Sequence, residues 1–298
     1  MLPLFQYHAC VYATASNLIL LVLAGTAAGA LGALLGVGGA IFLIPFLVVV
    51  IHLPMHHAIA TGLVSVIATS TAAAMVNVER GLVNVRLAMV LEVTTAIGGI
   101  AGGLLAGSLP GHALQMLFAV GVLVAAALMW RGVEEPLVPK EALPGHASKA
   151  LPNRARTGRL GGVYIDHADG GDVVYRVRRL PAALSVSAFA GGLSGLLGIG
   201  GGVFKVPALH LFCGVPMKAA AATSNFMIGV TAAASVFLYF GRNEVRPVVT
   251  ACVVLGVLGG SFGATVLNRR LSGKAVRRAF AFLLIAVAVQ LFWRATHR

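Results

Sequence analysis

One ten-residue pattern occurs twice in this chain, as GVGGAIFLIP from Gly36 to Pro45 and as GIGGGVFKVP from Gly198 to Pro207. The copies are 162 residues apart, which is the separation of Gly36 and Gly198. The same offset, without a gap, aligns further identical residues. These pairs are Pro54 with Pro216, Met55 with Met217, Thr61 with Thr223, Thr69 with Thr231, Arg80 with Arg242, Gly98 with Gly260 and Phe118 with Phe280. The chain is therefore an internal duplication.

Both copies of the pattern lie in long apolar surroundings. Hydrophobic residues make up 58% of the 298 residues and charged residues 10%, and the mean hydropathy is +0.92. A transmembrane helix requires about 20 mostly apolar residues, and runs of this kind recur along the sequence with hardly any ionisable residue inside them. The short alternating segments typical of a membrane β-barrel do not occur outside the centre of the chain. The sequence therefore predicts an all-α polytopic membrane protein.

Each half of the duplication is predicted to combine a broken helix pair with complete spans. The apolar segments after the two glycine clusters are too short to cross a bilayer comfortably, so each is a short tilted span or one arm of a re-entrant hairpin. We expect each half to have a glycine-broken short helix pair plus about three full transmembrane helices. The predicted units are a first transmembrane repeat at 14–131, a linker at 132–181 and a second repeat at 182–294. Within the linker, two β-rich runs around a Gly-rich turn predict a β-hairpin at 163–177.

The distribution of basic residues predicts the orientation of the two halves. The net charge is +13, and Lys and Arg cluster in residues 131–179 and in the loop 268–278, whereas the loop 107–112 has neither. The positive-inside rule places the basic segments in the cytoplasm. Loops 107–112 and 268–278 are equivalent in the duplication, so the halves are predicted to be inverted-topology repeats with both chain termini outside. Because the bases cluster in particular loops and are not spread over a folded surface, we expect no binding of nucleic acid.

The glycine pattern has the form GxGGGxxxxP, once in each half of a very hydrophobic chain, and it resembles the TauE/SafE family of sulfite exporter-like transporters. The resemblance extends over residues 20–132 and 182–294. It implies a transporter of the bacterial inner membrane that exports sulfite, sulfoacetate or a related organosulfur anion. Two residues depart from the pattern: the first copy has Ala40 where the second has Gly202, and the second has Lys205 where an apolar residue is expected.

A glycine-broken helix at the same place in two inverted halves is typical of the binding site of a secondary transporter. Breaking a helix in lipid leaves unpaired backbone groups, which are tolerated where they line a cavity or meet a substrate. A helix N-terminus attracts anions, and glycine lets an anion approach the amides closely. The alternative is that these glycines only allow close helix packing. The candidate residues are Gly36, Gly38, Gly39, Gly198, Gly200, Gly201 and Gly202, with Pro45 and Pro207 as helix-breaking prolines.

Polar residues after the Pro-Met turns are further candidates. Thr61, Thr223, Ser224 and Asn225 follow those turns, and Thr61 is equivalent to Thr223. Their hydroxyl and amide groups could complete the hydrogen bonds of an anion. The alternative is that the hydroxyls bond to their own helix backbone, as is common in membrane helices.

Two ionisable residues lie well inside predicted spans. A lysine at the centre of a membrane helix costs about 2.5 to 3.5 kcal/mol on insertion scales, so Lys205 is expected to face a cavity or a partner. Its equivalent is Leu43, so the duplicated fold does not require the charge. Lys205 either contacts the anion or forms a structural pair with Glu92, whose own equivalent is Val254. Glu92 is alternatively a proton-coupling carboxylate.

These features favour a secondary transporter of a small anion that works by alternating access, with a proton or sodium ion as the coupling ion. A channel-like anion pore and a membrane scaffold acting through the hairpin are the alternatives. The Gly-rich runs near Gly98 and Gly260 are expected to pack helices within the chain, with a homodimer interface as the alternative. The sequence has no hydrolase, zinc-protease or P-loop motif, and Cys10, Cys213 and Cys252 have no metal-like spacing. We therefore expect no enzymatic activity, cofactor or metal.

Overall fold

A computed structural model describes residues 15–35, 38–130, 160–166, 171–177, 179–267 and 288–290. The first half forms helices α1 (Ala15–Leu35), α2 (Ala40–Val49), α3 (Met55–Glu79), α4 (Val85–Ser108) and α5 (Gly111–Trp130). Strands β1 (Gly162–Asp166) and β2 (Gly171–Tyr175) follow. The second half forms α6 (Leu180–Leu197), α7 (Gly202–Leu211), α8 (Met217–Gly241) and α9 (Pro247–Leu267).

Among the described residues, five helices are long and apolar enough to cross a membrane. They are α3, α4, α6, α8 and the segment Pro247–Ala264 of α9. Large apolar side chains also point outward, where lipid would cover them: on α4, Val93 is 63% exposed and Ile97 is 64% exposed. The same helix buries Glu92 and Thr95 on its inner face. The chain is thus a mostly helical, polytopic membrane protein.

The equivalent helices α3 and α8 begin for the same local reason. Pro54 and Pro216 precede the first turns of α3 and α8, where the missing N–H of proline costs nothing. Helix α6 ends at Gly198, which has φ +72°. Helix α4 is the exception, because the side chain of Asn84 accepts a hydrogen bond from the N–H of Leu87 and caps it.

The short helices α2 and α7 each have ten residues, which is about 15 Å, or half of the hydrocarbon core of a bilayer. Helix α2 runs back along the first half of α3. Gly38, just before α2, lies against Val66 near the centre of α3, whereas Ile44 lies against Gly62, nearer its beginning. Helix α2 therefore starts at mid-depth and returns to the end at which α3 begins.

Helices of one half pack against helices of the other. Helix α1 packs on α9, and α4 packs on α6, which is the equivalent pairing with the halves exchanged. At the first interface, a Cβ on Gly25 would lie 2.5 Å from the carbonyl oxygen of Val253, and one on Gly29 would lie 2.4 Å from that of Val257. From the first contact to the second, the residue numbers of both helices rise by four, so α1 and α9 run parallel.

The α4–α6 interface has the same geometry. A Cβ on Gly98 would lie 2.1 Å from the carbonyl oxygen of Ala188, and one on Gly102 would lie 2.0 Å from that of Gly192. These two helices also run parallel. At both glycines the two backbones are too close for a side chain to fit. The prediction that this glycine run packs helices within the chain is confirmed.

Strands β1 and β2 pair antiparallel in the segment between the halves, with Val163 opposite Val174 and Gly162 opposite Tyr175. Tyr175 and Val173 belong to an apolar cluster with the first turns of α4 and α8 and the end of α7. The strand pair therefore packs on the helical domain at that end of the bundle.

Candidate functional site

The two glycine loops meet at the centre of the helical domain. A Cβ on Gly38 would lie 3.3 Å from Cγ2 of Val66 and 3.8 Å from the carbonyl oxygen of Ile199. A Cβ on Gly200 would lie 2.7 Å from Cγ2 of Ile228 and 3.1 Å from Cγ1 of Val66. Val66 and Ile228 are equivalent residues, each twelfth of the 25 residues in its helix. Both loops thus lie midway along α3 and α8.

The backbone at these loops requires glycine. Gly38 and Gly200, which are equivalent, have φ of +80° and +81°, and Gly201 has φ +69°. This left-handed region is costly for residues with a Cβ. Position 202, by contrast, is the first residue of a regular helix, which explains why Ala40 takes the equivalent place in α2. Gly36 lies outside the described residues.

The N-termini of α2 and α7 lie at these loops and have no side-chain caps. Gly39 and Gly201 occupy the N-cap positions, and neither makes a side-chain capping bond. The first N–H groups of a helix have no partner within it, and the helix dipole adds partial positive charge there. The two N-termini lie at the same height along α3 and α8, so together they form a region that stabilises negative charge. Pro45 and Pro207 lie inside α2 and α7.

Lys205 brings an ammonium group close to this level. Its side chain is 1% exposed, and Nζ donates a hydrogen bond to Oγ1 of Thr231 over 2.9 Å. Side chains in a helix lean toward its N-terminus, so the ammonium group reaches back toward the second glycine loop. Thr231 is three residues beyond Ile228, about 4.5 Å along α8.

Glu92 contacts the same hydroxyl from the other side. Its Oε1 lies 2.7 Å from Oγ1 of Thr231, and its Oε2 is buried without a hydrogen-bond partner among the described residues. Lys205 and Glu92 are therefore joined through Thr231. Thr231 was not among the predicted site residues. The one sequence signal that could have identified it is its match with Thr69 in the duplication.

A second hydroxyl near the loops was not predicted. Ser194 is fully buried, its Oγ has no partner among the described residues, and its Cβ would lie 3.4 Å from a Cβ on Gly201. The equivalent residue is Gly32, so the duplication gave no signal for a polar group here.

The structure does not bring the predicted polar residues of α3 and α8 together. Oγ1 of Thr61 lies 3.3 Å from Oγ1 of Thr250, whereas Oγ1 of Thr223 accepts the N–H of Asn84. Each threonine is five residues, about 7.5 Å, from the level of Val66 or Ile228. Next to Thr223, Oγ of Ser224 is buried without a partner in the described part of the chain, and the carbonyl of Asn225 accepts the hydroxyl of Ser70.

Comparisons with known proteins agree with this architecture. The family model described as sulfite exporter TauE/SafE matches residues 21–291. Among similar proteins, the probable membrane transporter protein YunE of Bacillus subtilis (strain 168) is 25% identical over 286 residues, covering 93% of this chain and 98% of the relative. A probable membrane transporter protein of Xylella fastidiosa (strain 9a5c) is 26% identical over 284 residues, covering 94% and 97%. No solved structure gives a significant match. The chain belongs to the TauE/SafE family and is a multi-pass membrane transporter.

Proposed function

We propose that this transporter exports a small anion, sulfite or an organosulfonate such as sulfoacetate, by alternating access. The observation that carries the proposal is the meeting of two uncapped helix N-termini beside the buried ammonium of Lys205. Backbone N–H groups and an ammonium are the donors that an oxyanion requires. The unpartnered hydroxyl of Ser194 adds a further donor beside the second loop. The name of the matching family model gives independent support for sulfite as the first substrate to test.

The two halves act as inverted repeats in this proposal. Helix α3 runs parallel to α9, because His57 and Thr61 contact Glu244 and Thr250 in that order. Helix α4 runs parallel to α8, since Asn84 contacts Thr223 and Glu92 contacts Thr231.

With the parallel pairs α1–α9 and α4–α6, these contacts favour opposite directions for equivalent helices. Rocking of one half against the other would then expose the glycine loops to each side in turn.

We further propose that the protein lies in the bacterial inner membrane, with the linker in the cytoplasm. The basic residues of 131–179 support this orientation. Strand β2 packs beside the loop that joins α3 and α4, so that end of the bundle is the cytoplasmic one. The end with His52, His56 and His112 then faces outward.

The test is counterflow of labelled sulfite into proteoliposomes preloaded with unlabelled sulfite. The wild-type protein is expected to give saturable accumulation, whereas a pore would give flux that rises linearly with the gradient. Replacing Lys205 by Met removes a charged donor worth about 1.5 to 3 kcal/mol, so the apparent affinity should fall about 10- to 150-fold. Leu43→Met at the equivalent buried site is the matched control and should transport normally. Absence of wild-type counterflow with both sulfite and sulfoacetate would refute the proposal.

A further inference from the structure

Three side chains from three helices form one hydrogen-bonded unit inside the protein. Lys205 of α7 donates to the hydroxyl oxygen of Thr231 on α8, and the same oxygen lies 2.7 Å from Oε1 of Glu92 on α4 and 3.0 Å from the carbonyl oxygen of Met227. A threonine hydroxyl has one hydrogen to donate. That hydrogen therefore points either at Glu92 or at Met227.

The two positions of this hydrogen correspond to two protonation states of Glu92. When Glu92 is ionised, it accepts the threonine hydrogen. When Glu92 is protonated, it donates to Oγ1, and the threonine hydrogen turns to the carbonyl of Met227. Both acceptors are within hydrogen-bond distance in the same geometry. The unit can therefore change its charge without moving its heavy atoms.

Lys205 is the charged group that faces Glu92. Among described residues of the helices that pack on α4, helix α6 has no titratable side chain, and α8 has Lys218 and Tyr239. Lys218 is 13 residues from Thr231, about 20 Å along the helix, and the Tyr239 hydroxyl is bonded to the carbonyl of Gly195. On α7, the ring of His210 is bonded to the carbonyl of Val215. Arg86 lies six residues before Glu92 on α4, and Arg242 contacts α4 at Gly103, eleven residues beyond it.

The place that the duplication makes equivalent to this unit has the threonine but not the charges. Thr69 replaces Thr231, Leu43 replaces Lys205 and Val254 replaces Glu92. The hydroxyl of Thr69 donates to the carbonyl of Ser65 in its own helix. The fold thus forms at the equivalent place without an ion pair, and the pair itself joins one residue from each half.

We propose that Glu92 takes up one proton when an anion binds Lys205, so that each transported anion is accompanied by one proton. This inference rests on the proposed anion transport. Without substrate, the ammonium and the carboxylate neutralise each other through Thr231, as buried charges require. A bound anion takes over the ammonium, and the carboxylate is left without a counter-charge. A proton from the solution then bonds to Oε1 or Oε2 and neutralises the carboxylate of Glu92, and it leaves when the anion leaves.

Thr231 is a positioning residue in this scheme. Its oxygen accepts from Lys205 in the substrate-free state and from protonated Glu92 in the loaded state. Thr231 is fully buried, and it accepts a hydrogen bond from protonated Glu92 without itself carrying the transported proton. Removing the hydroxyl should therefore weaken the link between proton and anion more than it weakens anion binding.

Sulfoacetate is the probe for the test, because both of its acid groups stay ionised near neutral pH and its own charge does not change. Proteoliposomes are assayed in two ways: exchange of labelled for unlabelled sulfoacetate at equal pH, and accumulation driven by a pH gradient with an internal pH dye. The wild-type protein should exchange and should also move one proton per anion. Glu92→Gln should still exchange sulfoacetate but move no protons. Glu79→Gln, at an exposed glutamate, is the matched control and should behave as wild type.

The possible outcomes distinguish the proposal of anion transport from the proposal of proton coupling. Exchange by the wild-type protein without proton movement would overturn the coupling and leave anion transport intact. No wild-type exchange would remove sulfoacetate transport, and the coupling would fall with it. Proton movement by Glu92→Gln would also overturn the coupling.

A second series guards against misfolding of the Glu92 variant. Thr231→Val should lower the ratio of protons to anions, Thr231→Ser should restore it, and Thr69→Val at the equivalent place should leave it unchanged. Equal ratios for Thr231→Val and Thr231→Ser would show that the hydroxyl plays no part.

Discussion

The amide nitrogen Nδ2 of Asn84 lies 3.1 Å from the hydroxyl oxygen of Tyr175, and this bond attaches strand β2 to the helical domain. The same nitrogen donates to the carbonyl of Leu160, and Oδ1 caps α4 by accepting the N–H of Leu87. The backbone N–H of Asn84 donates to Oγ1 of Thr223 on α8. One residue therefore connects the linker with α4 and α8.

Replacing Asn84 by Asp should release the linker without harming α4. Aspartate keeps an oxygen for the cap, and its charge suits a helix N-terminus, but it cannot donate to Leu160 or Tyr175. Each lost bond contributes about 1 kcal/mol, so limited proteolysis should cut the linker faster while thermal unfolding of the helical domain changes little. Asn84→Ala should affect both. Equal proteolysis of Asn84→Asp and wild type would show that these bonds do not hold the linker.

Alkaline pH should weaken the same attachment. Burial raises the pKa of the Tyr175 hydroxyl above its ordinary value of about 10, and the hydrogen bond from Asn84 offsets part of that rise. The neutral phenol is thus favoured in the folded protein. This stabilisation is complete below the ordinary pKa and is lost as the pH rises through the raised one. An ultraviolet titration of tyrosinate, taken as the difference between wild type and Tyr175→Phe, should show a midpoint above the ordinary value; a midpoint at or below it would contradict the prediction.

Two substitutions at the second glycine loop should distinguish the cost of placing a side chain on a left-handed backbone from the effect of helix propensity. Gly200→Ala forces a Cβ into a left-handed backbone and against Ile228, at a cost of about 1 to 2 kcal/mol before any clash is counted. Gly202→Ala is at a regular helical position, where Ala40 already stands in the other half, and should be neutral or stabilising. Thermal unfolding in detergent and sulfite counterflow measure both effects. A normal Gly200→Ala protein would show that the loop geometry is not required.

Lys205 and Glu92 should show strong energetic coupling. Removing one partner of a buried ion pair costs about 3 to 5 kcal/mol, because the remaining charge is left unpaired, whereas replacing both often costs little. Lys205→Met should therefore unfold at a lower temperature than the double variant Lys205→Met with Glu92→Gln. A double-mutant cycle measures the interaction free energy. Additive effects would show that Lys205 and Glu92 do not interact energetically.

The proposed inverted topology predicts opposite labelling of equivalent loops. In a cysteine-free background, His112→Cys should react with a membrane-impermeant maleimide added to intact cells. Lys274→Cys, at the equivalent position of the second half, should react only after the membrane is made permeable. Labelling of both from the same side would refute the inverted arrangement.

The sequence predicted those features of the candidate site that depend on local chemistry. A loop that needs positive φ requires glycine, so the repeated clusters alone were enough to mark Gly38 and Gly200. A charge inside an apolar segment is equally visible, and it identified Lys205 and Glu92 together.

What the sequence did not reveal depends on packing between distant helices. Thr231 acquires its role because α4, α7 and α8 converge on one point, and α4 is 139 residues away at Glu92. Thr61 and Thr223 match in the duplication, but they lie away from the glycine loops and take different partners. The duplication shows which residues occupy equivalent positions in the two halves. It does not show which residues lie close together in the folded protein.

The reciprocal packing of α1 on α9 and of α4 on α6 has an evolutionary consequence. If the two halves were separate copies of one chain, the same contacts would form a symmetric pair, and every substitution would appear twice. A lysine at mid-depth would then face a second lysine across the symmetry axis, and a glutamate would likewise be doubled. Joining the copies into one chain lets one half gain Lys205 while the other keeps Leu43. A single chain therefore permits a single charge pair in a framework that is otherwise built twice.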